Sequence, residues 1–336
     1  MPRLHKQMNT GKHPGYRQQR GIAMLTALLV VALATIIAVN ITERQQYDIR
    51  RLGNILYSQQ AYYYALGGES WARGILYKDG KSSSHKNTDN LFEDWAQPLP
   101  VTIIEGGTIS GQITDLSGLF NINNLFLLDP KDPLQVTRQK QQIEMFNRLL
   151  QVLEINVPLT QAIIDWIDQD ADISFPDGAE DQTYQQKTPP YRSSNRLMSS
   201  PTELLLVEGF TAEIYAKLQP FVTALPESTT VNINTASAEV IAALSSQLDL
   251  KKATEIVEDR GTVFNNNKEF KDQTESYASD KGKYQLEIEP LIGVSSQYFK
   301  VKALVQIDTV SSNLHSVLKR NSNGSIETIS RSPGVD

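Results

Sequence analysis

Residues 22–39 read IAMLTALLVVALATIIAV, eighteen residues without a charge. A helix needs about 20 apolar residues to cross a bilayer core, so this run dictates a membrane span near the N-terminus. Residues 1–20 carry Arg3, Lys6, Lys12, Arg17 and Arg20 and no acidic residue. The net charge of −6 for the whole chain therefore leaves −11 beyond residue 20. Basic residues stay on the cytoplasmic side of a span, which predicts a cytoplasmic N-terminus and a large acidic body across the membrane. An acidic body repels phosphate backbones and argues against nucleic acid as a partner. The chain has no cysteine, so no disulfide braces it. A cleaved secretory signal has an apolar core of about 7–15 residues followed by a small-residue site. The run here is longer, and Ala38-Val39-Asn40 is a poor site.

The pattern does not stop at the membrane. In residues 42–77, Leu52, Ile55, Leu56, Tyr63 and Leu66 recur at helical spacing among Arg44, Arg50, Arg51 and Gln59. That periodicity predicts an amphipathic continuation of the same helix. No proline interrupts residues 22–77, and the next strong breaker is Asp79-Gly80. Gly67-Gly68 weakens a helix without ending it. The run Tyr62-Tyr63-Tyr64 is expected to pack this helix against a sheet.

Gly21, the hydrophobic run from Ile22 and the long half-buried helix together resemble the type IV prepilin-like proteins. The resemblance implies that a membrane prepilin peptidase cuts after Gly21 and methylates the new N-terminal Ile22. Members of that class mostly carry a Glu as the fifth mature residue, where this chain has Thr26. A carboxylate inside a bilayer costs a few kcal/mol unless paired. Its absence implies a subunit that does not need the pairing. Among pseudopilins this absence resembles the large minor pseudopilin K family of type II secretion systems.

The rest of the chain reads as α+β. VTIIEGGTISGQIT (101–114) has β-branched residues around Gly106-Gly107 and predicts two short strands. YFKVKALVQID (298–308) alternates, with Phe299, Val301, Ala303, Val305 and Ile307 on one face. HSVLKRNSNGSIETI (315–329) carries Asn323-Gly324 between two strand-like runs, a hairpin signal. Strands thus flank a middle that reads as helical. QKQQIEMFNRLLQVL (139–153) puts Ile143, Phe146, Leu149, Leu150 and Leu153 on one face. TQAIIDWI (160–167) follows Pro158 with Thr160 as its expected N-cap. Further short helices are expected over 201–207, 211–218, 231–244 and 251–261. The resemblance turns this into a long N-terminal transmembrane and amphipathic helix on a small pilin-type antiparallel sheet with a large α-helical insertion of SAM-like, helix-hairpin-helix-like units. The implied divisions are a leader 1–21, a membrane part 22–40, a periplasmic helix with the first strands 41–115, helical units 116–228 and 229–292, and the last strands 293–336.

Asn232-Ile233-Asn234-Thr235-Ala236 is similar to the start of a helix-hairpin-helix, which raises an alternative, a membrane-anchored DNA receptor of the competence type. Such hairpins turn through glycines whose N–H groups face a phosphate. Here the turn is Ser245-Ser246-Gln247-Leu248-Asp249-Leu250, without glycine and with an acid. In the first unit Glu208 precedes Gly209 and repels phosphate, and Lys251-Lys252 is a lone basic pair. Packing units are the better reading.

The densest polar stretch is DWIDQDADISFPDGAEDQTY (165–184). Asp168, Asp170 and Asp172 match positions 1, 3 and 5 of an EF-hand loop, but Ile173 stands where glycine is needed and Ala179 where glutamate is needed. So many carboxylates on one loop repel unless a cation or solvent relieves them. Oxygen ligands without nearby His or Cys disfavour zinc and copper. The resemblance implies calcium, held among Asp168, Asp170, Asp172, Glu180 and Asp181. The four histidines, His5, His13, His85 and His315, are scattered, and no nucleophile, zinc-protease or Walker motif occurs. The chain is not expected to be an enzyme. The family implied is a tip component of a short periplasmic pseudopilus, anchored in the inner membrane. Its partners would be the I- and J-type minor pseudopilins, the major pseudopilin and the prepilin peptidase, with secreted proteins as the cargo of export. The face of residues 42–66 is the expected partner-binding surface.

Overall fold

The computed structural model describes Gly11 and residues 20–82, 88–155, 157–260 and 263–334. The expected leader, with His5 and His13, falls outside these residues apart from Gly11 and the helix start, and His85 lies outside them too. Two compact units divide the chain, Met1–Tyr57 and Ser58–Asp336.

Helix α1 (Arg20–Lys81) runs for 62 residues. It is long and apolar enough to cross a membrane, by length and composition. In the first unit its apolar side chains from Ile22 to Ile41 are exposed. The Thr26 hydroxyl donates to the carbonyls of Ile22 (3.2 Å) and Ala23 (3.0 Å). The polar group in the apolar run is thus satisfied by its own helix, where a carboxylate would need a partner.

In the second unit the rest of α1 lies on a five-stranded antiparallel sheet of order β1-β2-β7-β8-β9. The strands are β1 (Leu99–Ile104), β2 (Gly107–Asp115), β7 (Tyr298–Ile307), β8 (Val310–Arg320) and β9 (Ile326–Pro333). Gly106 turns the first hairpin at φ +79°, and Gly324 turns the last at φ +85°, values that favour glycine. Both hairpins and the alternating strand appear where the sequence predicts them. The pairing of β2 with β7 runs unbroken from Gly107↔Ile307 to Asp115↔Phe299, so the chain leaves the sheet after Asp115 and returns beside it.

The residues of α1 that pack on the sheet are mostly small, and of the tyrosine run expected to pack there Tyr62 and Tyr63 stay exposed. Ala61, Ala65, Ala72 and Leu76 are fully buried, whereas Leu52, Ile55, Leu56 and Tyr63 are exposed. Of the three tyrosines, only Tyr64 packs against the core under the sheet. Small residues let the helix approach closely. A Cβ on Gly68 would sit 3.1 Å from Ile109 Cδ1 and 3.4 Å from Ala303 Cβ. The large side chains suggested amphipathicity, but close packing selects the small ones.

Between β2 and β7 lie α2 (Pro133–Val152), α3 (Thr160–Ile167), α4 (Asp181–Tyr184), α5 (Ala212–Leu218), α6 (Ala238–Leu244), α7 (Leu250–Glu258), α8 (Asn267–Thr274) and α9 (Lys281–Ile288). Two parallel two-residue pairs clasp this region. β3 (Phe120–Asn121) pairs with β4 (Val222–Thr223), and β5 (Val231–Asn232) with β6 (Ile292–Gly293). Each pair joins the start and end of one helical segment. The two segments share a single apolar core, with Phe146, Leu149 and Ile163 in one and Val240, Ile241 and Phe270 in the other. Several helix starts differ from expectation. Leu159, not Thr160, is the cap residue of α3, and the Thr160 hydroxyl donates instead to Asn147 Oδ1 (2.5 Å). Ser237 caps α6, because Val231-Asn232 is strand and Asn234 is used elsewhere. Residues 201–206 form a 3₁₀ turn.

Asparagines repeat in the two segments. In Asn121-Ile122-Asn123-Asn124, Asn123 Nδ2 donates to the carbonyls of Met198 and Leu225, both at 2.9 Å, and Asn124 Nδ2 to that of Thr229 (2.8 Å). In Asn232-Ile233-Asn234, Asn234 Nδ2 donates to the Phe264 carbonyl (3.0 Å). These amides bind backbone that forms no regular ladder.

Glu69 fastens α1 to the far edge of the sheet. Only 2% exposed, its carboxylate accepts from Ser316 Oγ (2.7 Å), Thr328 Oγ1 (2.7 Å) and Arg331 Nε and Nη2 (2.7 and 2.8 Å). Burial alone would raise its pKa, but these donors and the Arg331 charge overcome it and hold the carboxyl at about 2. A lowered pKa stabilises the fold above the ordinary value of 4.5 and loses that stabilisation as pH falls towards 2. E69A should therefore destabilise the chain by roughly 1–3 kcal/mol, because it leaves the buried Ser316 hydroxyl without its acceptor. Thermal melts at pH 7 measure that loss, and the fall in melting temperature between pH 4.5 and pH 2 should be smaller in E69Q than in the wild type.

Candidate functional site

Two groups of carboxylates converge among the described residues: Asp79, Asp89 and Glu93, and Asp168, Asp170 and Glu180. Their chemistry differs. In the first group Arg320 pairs with Asp79 at 2.9 Å and with Asp89. Glu93 accepts from Asn90 Nδ2 (2.6 Å) and Trp95 Nε1 (2.5 Å). Burial, with Asp79 and Asp89 nearby, pushes Glu93 up to about 8. The oxygens of this group already have hydrogen-bond and charge partners, so it is a structural network.

The second group is built by the loop that leaves α3. That helix buries Ala162, Ile163, Trp166 and Ile167 and ends at Asp168, whose N–H still reaches the Ile164 carbonyl at 2.9 Å. The loop returns to α4, where Glu180 is the cap residue and its carboxylate accepts from Asp181 N–H (3.3 Å). The ends of the loop are thereby brought together, and Asp168, Asp170 and Glu180 each offer an oxygen within 4.8 Å of the others. Behind them Trp166, Tyr184 and Tyr191 stack edge and face with centroids 5.1–6.3 Å apart.

Electrostatically the group is under-compensated. Asp168 Oδ1 and Glu180 Oε1 are buried without a hydrogen-bond partner. Burial, reinforced by Asp170, Asp165 and Glu180, pushes Asp168 up to about 7. Burial also raises Glu180, against the opposing hydrogen bond from Ser193. Buried oxygens lacking donors are costly unless a cation or proton meets them. Orphaned, converging carboxylate oxygens with no imidazole or thiolate beside them among the described residues match a hard divalent cation such as calcium.

The five expected ligands do not behave alike. Asp168, Asp170 and Glu180 meet, while Asp172 is exposed and contributes its N–H to Asp170 Oδ1 (2.9 Å). Asp181 faces Ser193, accepting from its N–H (3.0 Å) and Oγ (2.9 Å), with Arg192 3.8 Å away. Ser193 also donates to Glu180 Oε2 (3.0 Å) and orients that carboxylate. Ser193 lies in a Ser- and Arg-bearing stretch 12 residues beyond Asp181, and nothing in its local sequence marks it. Asp165 supports the loop from below. Fully buried, it accepts from Ser174 N–H at 3.1 and 3.2 Å.

The hairpins that raised a DNA-binding alternative spend their polar groups internally. Asn232 Nδ2 donates to the Asp89 carbonyl (3.0 Å) and to Ser296 Oγ (2.7 Å). Glu208 pairs with Lys187, and Lys252 sits 3.8 Å from Asp249.

The comparisons with known proteins agree with one another. The family described as "Type II secretion system (T2SS), protein K" matches residues 118–227 with one model and 231–289 with a second. These ranges fall on the two clasped helical segments. Type II secretion system protein K of Pseudomonas aeruginosa is 35% identical over 327 residues, covering 95% of this chain and 94% of its own. That of Aeromonas hydrophila is 33% identical over 332 residues, covering 96% and 99%. In fold, the chain is similar to a chain in the crystal structure of the GspK-GspI-GspJ complex from enterotoxigenic Escherichia coli. That match has a TM-score of 0.70 at 21% identity and covers 85% of this chain and 100% of the other. With helical segments, sheet and N-terminal helix all inside these matches, this chain belongs to the type II secretion system protein K family.

Proposed function

We propose that the protein is a minor pseudopilin that caps the tip of a periplasmic pseudopilus and works with I- and J-type minor pseudopilins to support export of folded proteins. The observation that carries this reading is the insertion. A shared-core helical body of residues 116–297 is built between two adjacent strands of a small sheet packed on a helix. A bulky body on a thin helix-and-sheet frame is a steric obstacle to another subunit stacking above it. Thr26 agrees, since a terminal subunit has no subunit beyond it whose amine a carboxylate would need to neutralise. The exposed Leu52, Ile55 and Leu56 of α1 form an apolar surface suited to a partner helix. In a pull-down, the detergent-solubilised chain should retain the I- and J-type proteins of its own system, and L52E together with L56E should reduce retention at least tenfold. Failure of the wild type to retain either would refute the tip reading.

The same reading has the chain cut after Gly21 by a prepilin peptidase and methylated on Ile22. The N-terminus would face the cytoplasm and residues 41–336 the periplasm. N-terminal sequencing of the membrane-bound protein should begin at N-methylated Ile22. An intact Met1, or a cut beyond Ala38, would reject this processing.

Calcium is the ion proposed for the acidic loop, with Asp168, Asp170 and Glu180 as its carboxylate ligands and Ser193 positioning Glu180. The ion would meet the orphaned oxygens of Asp168 and Glu180 and relieve their mutual repulsion. It would act as a staple between the end of α3 and the start of α4, with a structural role. A ligand that binds only the folded state stabilises by about 2.7 kcal/mol at a hundredfold excess over its Kd. Calcium should therefore raise the melting temperature by several degrees relative to chelator in the wild type and by almost nothing in D168N or E180Q. Equal melting of the wild type with calcium and with chelator would eliminate the site.

A further inference from the structure

We infer that the turn bearing Ile173 and Phe175 is a docking tip for a protein partner whose surface offers an apolar pocket rimmed by lysine or arginine. Phe175 is 93% exposed and Ile173 55%. Isolated apolar side chains at a surface are ordinary, but this pair crowns a turn constructed to present it. Ser174, between them, is held from both sides. Its N–H donates to the buried Asp165 carboxylate, and its carbonyl accepts from Gly178 N–H at 2.9 Å. Asp177 takes φ +66°, and a Cβ on Gly178 would lie 2.3 Å from both Asp165 Oδ2 and the Ser174 carbonyl oxygen. The turn therefore has one tight shape, and a partner that accepts it loses little conformational freedom in doing so.

Charge selects the partner. Residues 165–181 contain seven carboxylates and no lysine or arginine. Asp170, Asp172 and Asp177 are exposed around the two apolar side chains. A divalent cation at Asp168, Asp170 and Glu180 would leave the loop negative. Nucleic acid and an anionic bilayer are repelled by such a rim, and so is the same turn of a second copy of this chain. An apolar pocket edged with basic side chains both buries Phe175 and complements its surroundings. The tip belongs to the helical insertion and shares no residue with the α1 face proposed for the I- and J-type proteins. The inference goes beyond the tip-capping reading and needs that reading only for its test in cells.

The test uses the whole chain in cells that carry the rest of the secretion system and lack their own copy of this protein. A photo-crosslinking benzoylphenylalanine replaces Phe175 or, as a control, the exposed Leu286 on α9. The expected result is a protein adduct at 175 that is absent at 286, with lysine or arginine in or beside the labelled peptide. Its yield should fall at least tenfold when D172K and D177K are added. Secretion should be retained by F175L and lost by F175D, with thermal melts and retention of the I- and J-type proteins unchanged in both. A lipid adduct alone, no adduct above the control, or an adduct indifferent to charge reversal would overturn the inference. Restoration of secretion by the unaltered chain tests the proposed function separately. If the unaltered chain restores export and the 175 adduct fails these criteria, only the docking tip falls.

Discussion

The buried carboxylate of Asp115 joins the two halves of the folded body. It ends β2, the last strand before the insertion, and is 5% exposed. It accepts from Ser117 N–H (2.7 Å), Thr235 Oγ1 (2.5 Å), Ser296 Oγ (2.6 Å) and Asn232 Nδ2 (3.4 Å). Burial pushes its pKa up, and these donors oppose that shift. Ser296 extends the network through its N–H to Asp89 Oδ2 (2.6 Å) and its carbonyl to Arg320 Nη2 (3.1 Å). The start of the insertion, its second helical segment, its return and strand β8 are therefore joined by one set of polar groups. A half-satisfied network of this kind is costly, and a satisfied one specifies a single arrangement. This is why a helical body can be hosted by a five-stranded sheet without hanging from it as a loose appendage.

The two acidic clusters show how the same residue types diverge. Asp79, Asp89 and Glu93 receive Arg320, Asn90 and Trp95 as donors. Asp168, Asp170 and Glu180 receive no comparable cation among the described residues, and Glu180 and Asp168 each keep an oxygen unpaired in the interior. The first cluster holds the fold together. The second is left with a charge that a bound ion can meet, on a loop whose apolar tip faces outward. A supporting scaffold of Asp165, Ser193 and the aromatic trio keeps that loop in one shape.

Much of the frame was legible along the chain because it rests on local rules. An uncharged run of membrane length, a glycine turn between alternating strands and an apolar stripe on α2 each follow from residues close in sequence. The acidic loop was visible as a concentration of aspartates. Its working subset was not, because the separation of Asp172 and Asp181 from the group depends on Ser193, Arg192 and the course of the turn. The packing residues of α1 were legible only in part, since Tyr64 meets the core as expected while Tyr62 and Tyr63 do not. Leu52, Leu56 and Tyr63 carry the strongest local signal, yet Ala61, Ala65, Gly68 and Ala72 meet the sheet, since only small side chains allow the approach seen at Ile109 and Ala303.

By itself the sequence determined a membrane-length helix with Gly21 and Thr26 at its start, strands at both ends of the acidic body, a helical middle and a carboxylate-rich loop, because each is written in composition, period or turn chemistry. Tertiary structure alone decided which carboxylates meet one another and which meet Arg320. It also decided that two helical segments share one core, and that Asn232 and Asp115 lock that core to the sheet. Those outcomes depend on groups far apart in sequence, up to 241 residues for Arg320 and Asp79, brought together only after the chain has closed β7 onto β2. Burial then sets whether a charge is paired, neutralised or left to a ligand.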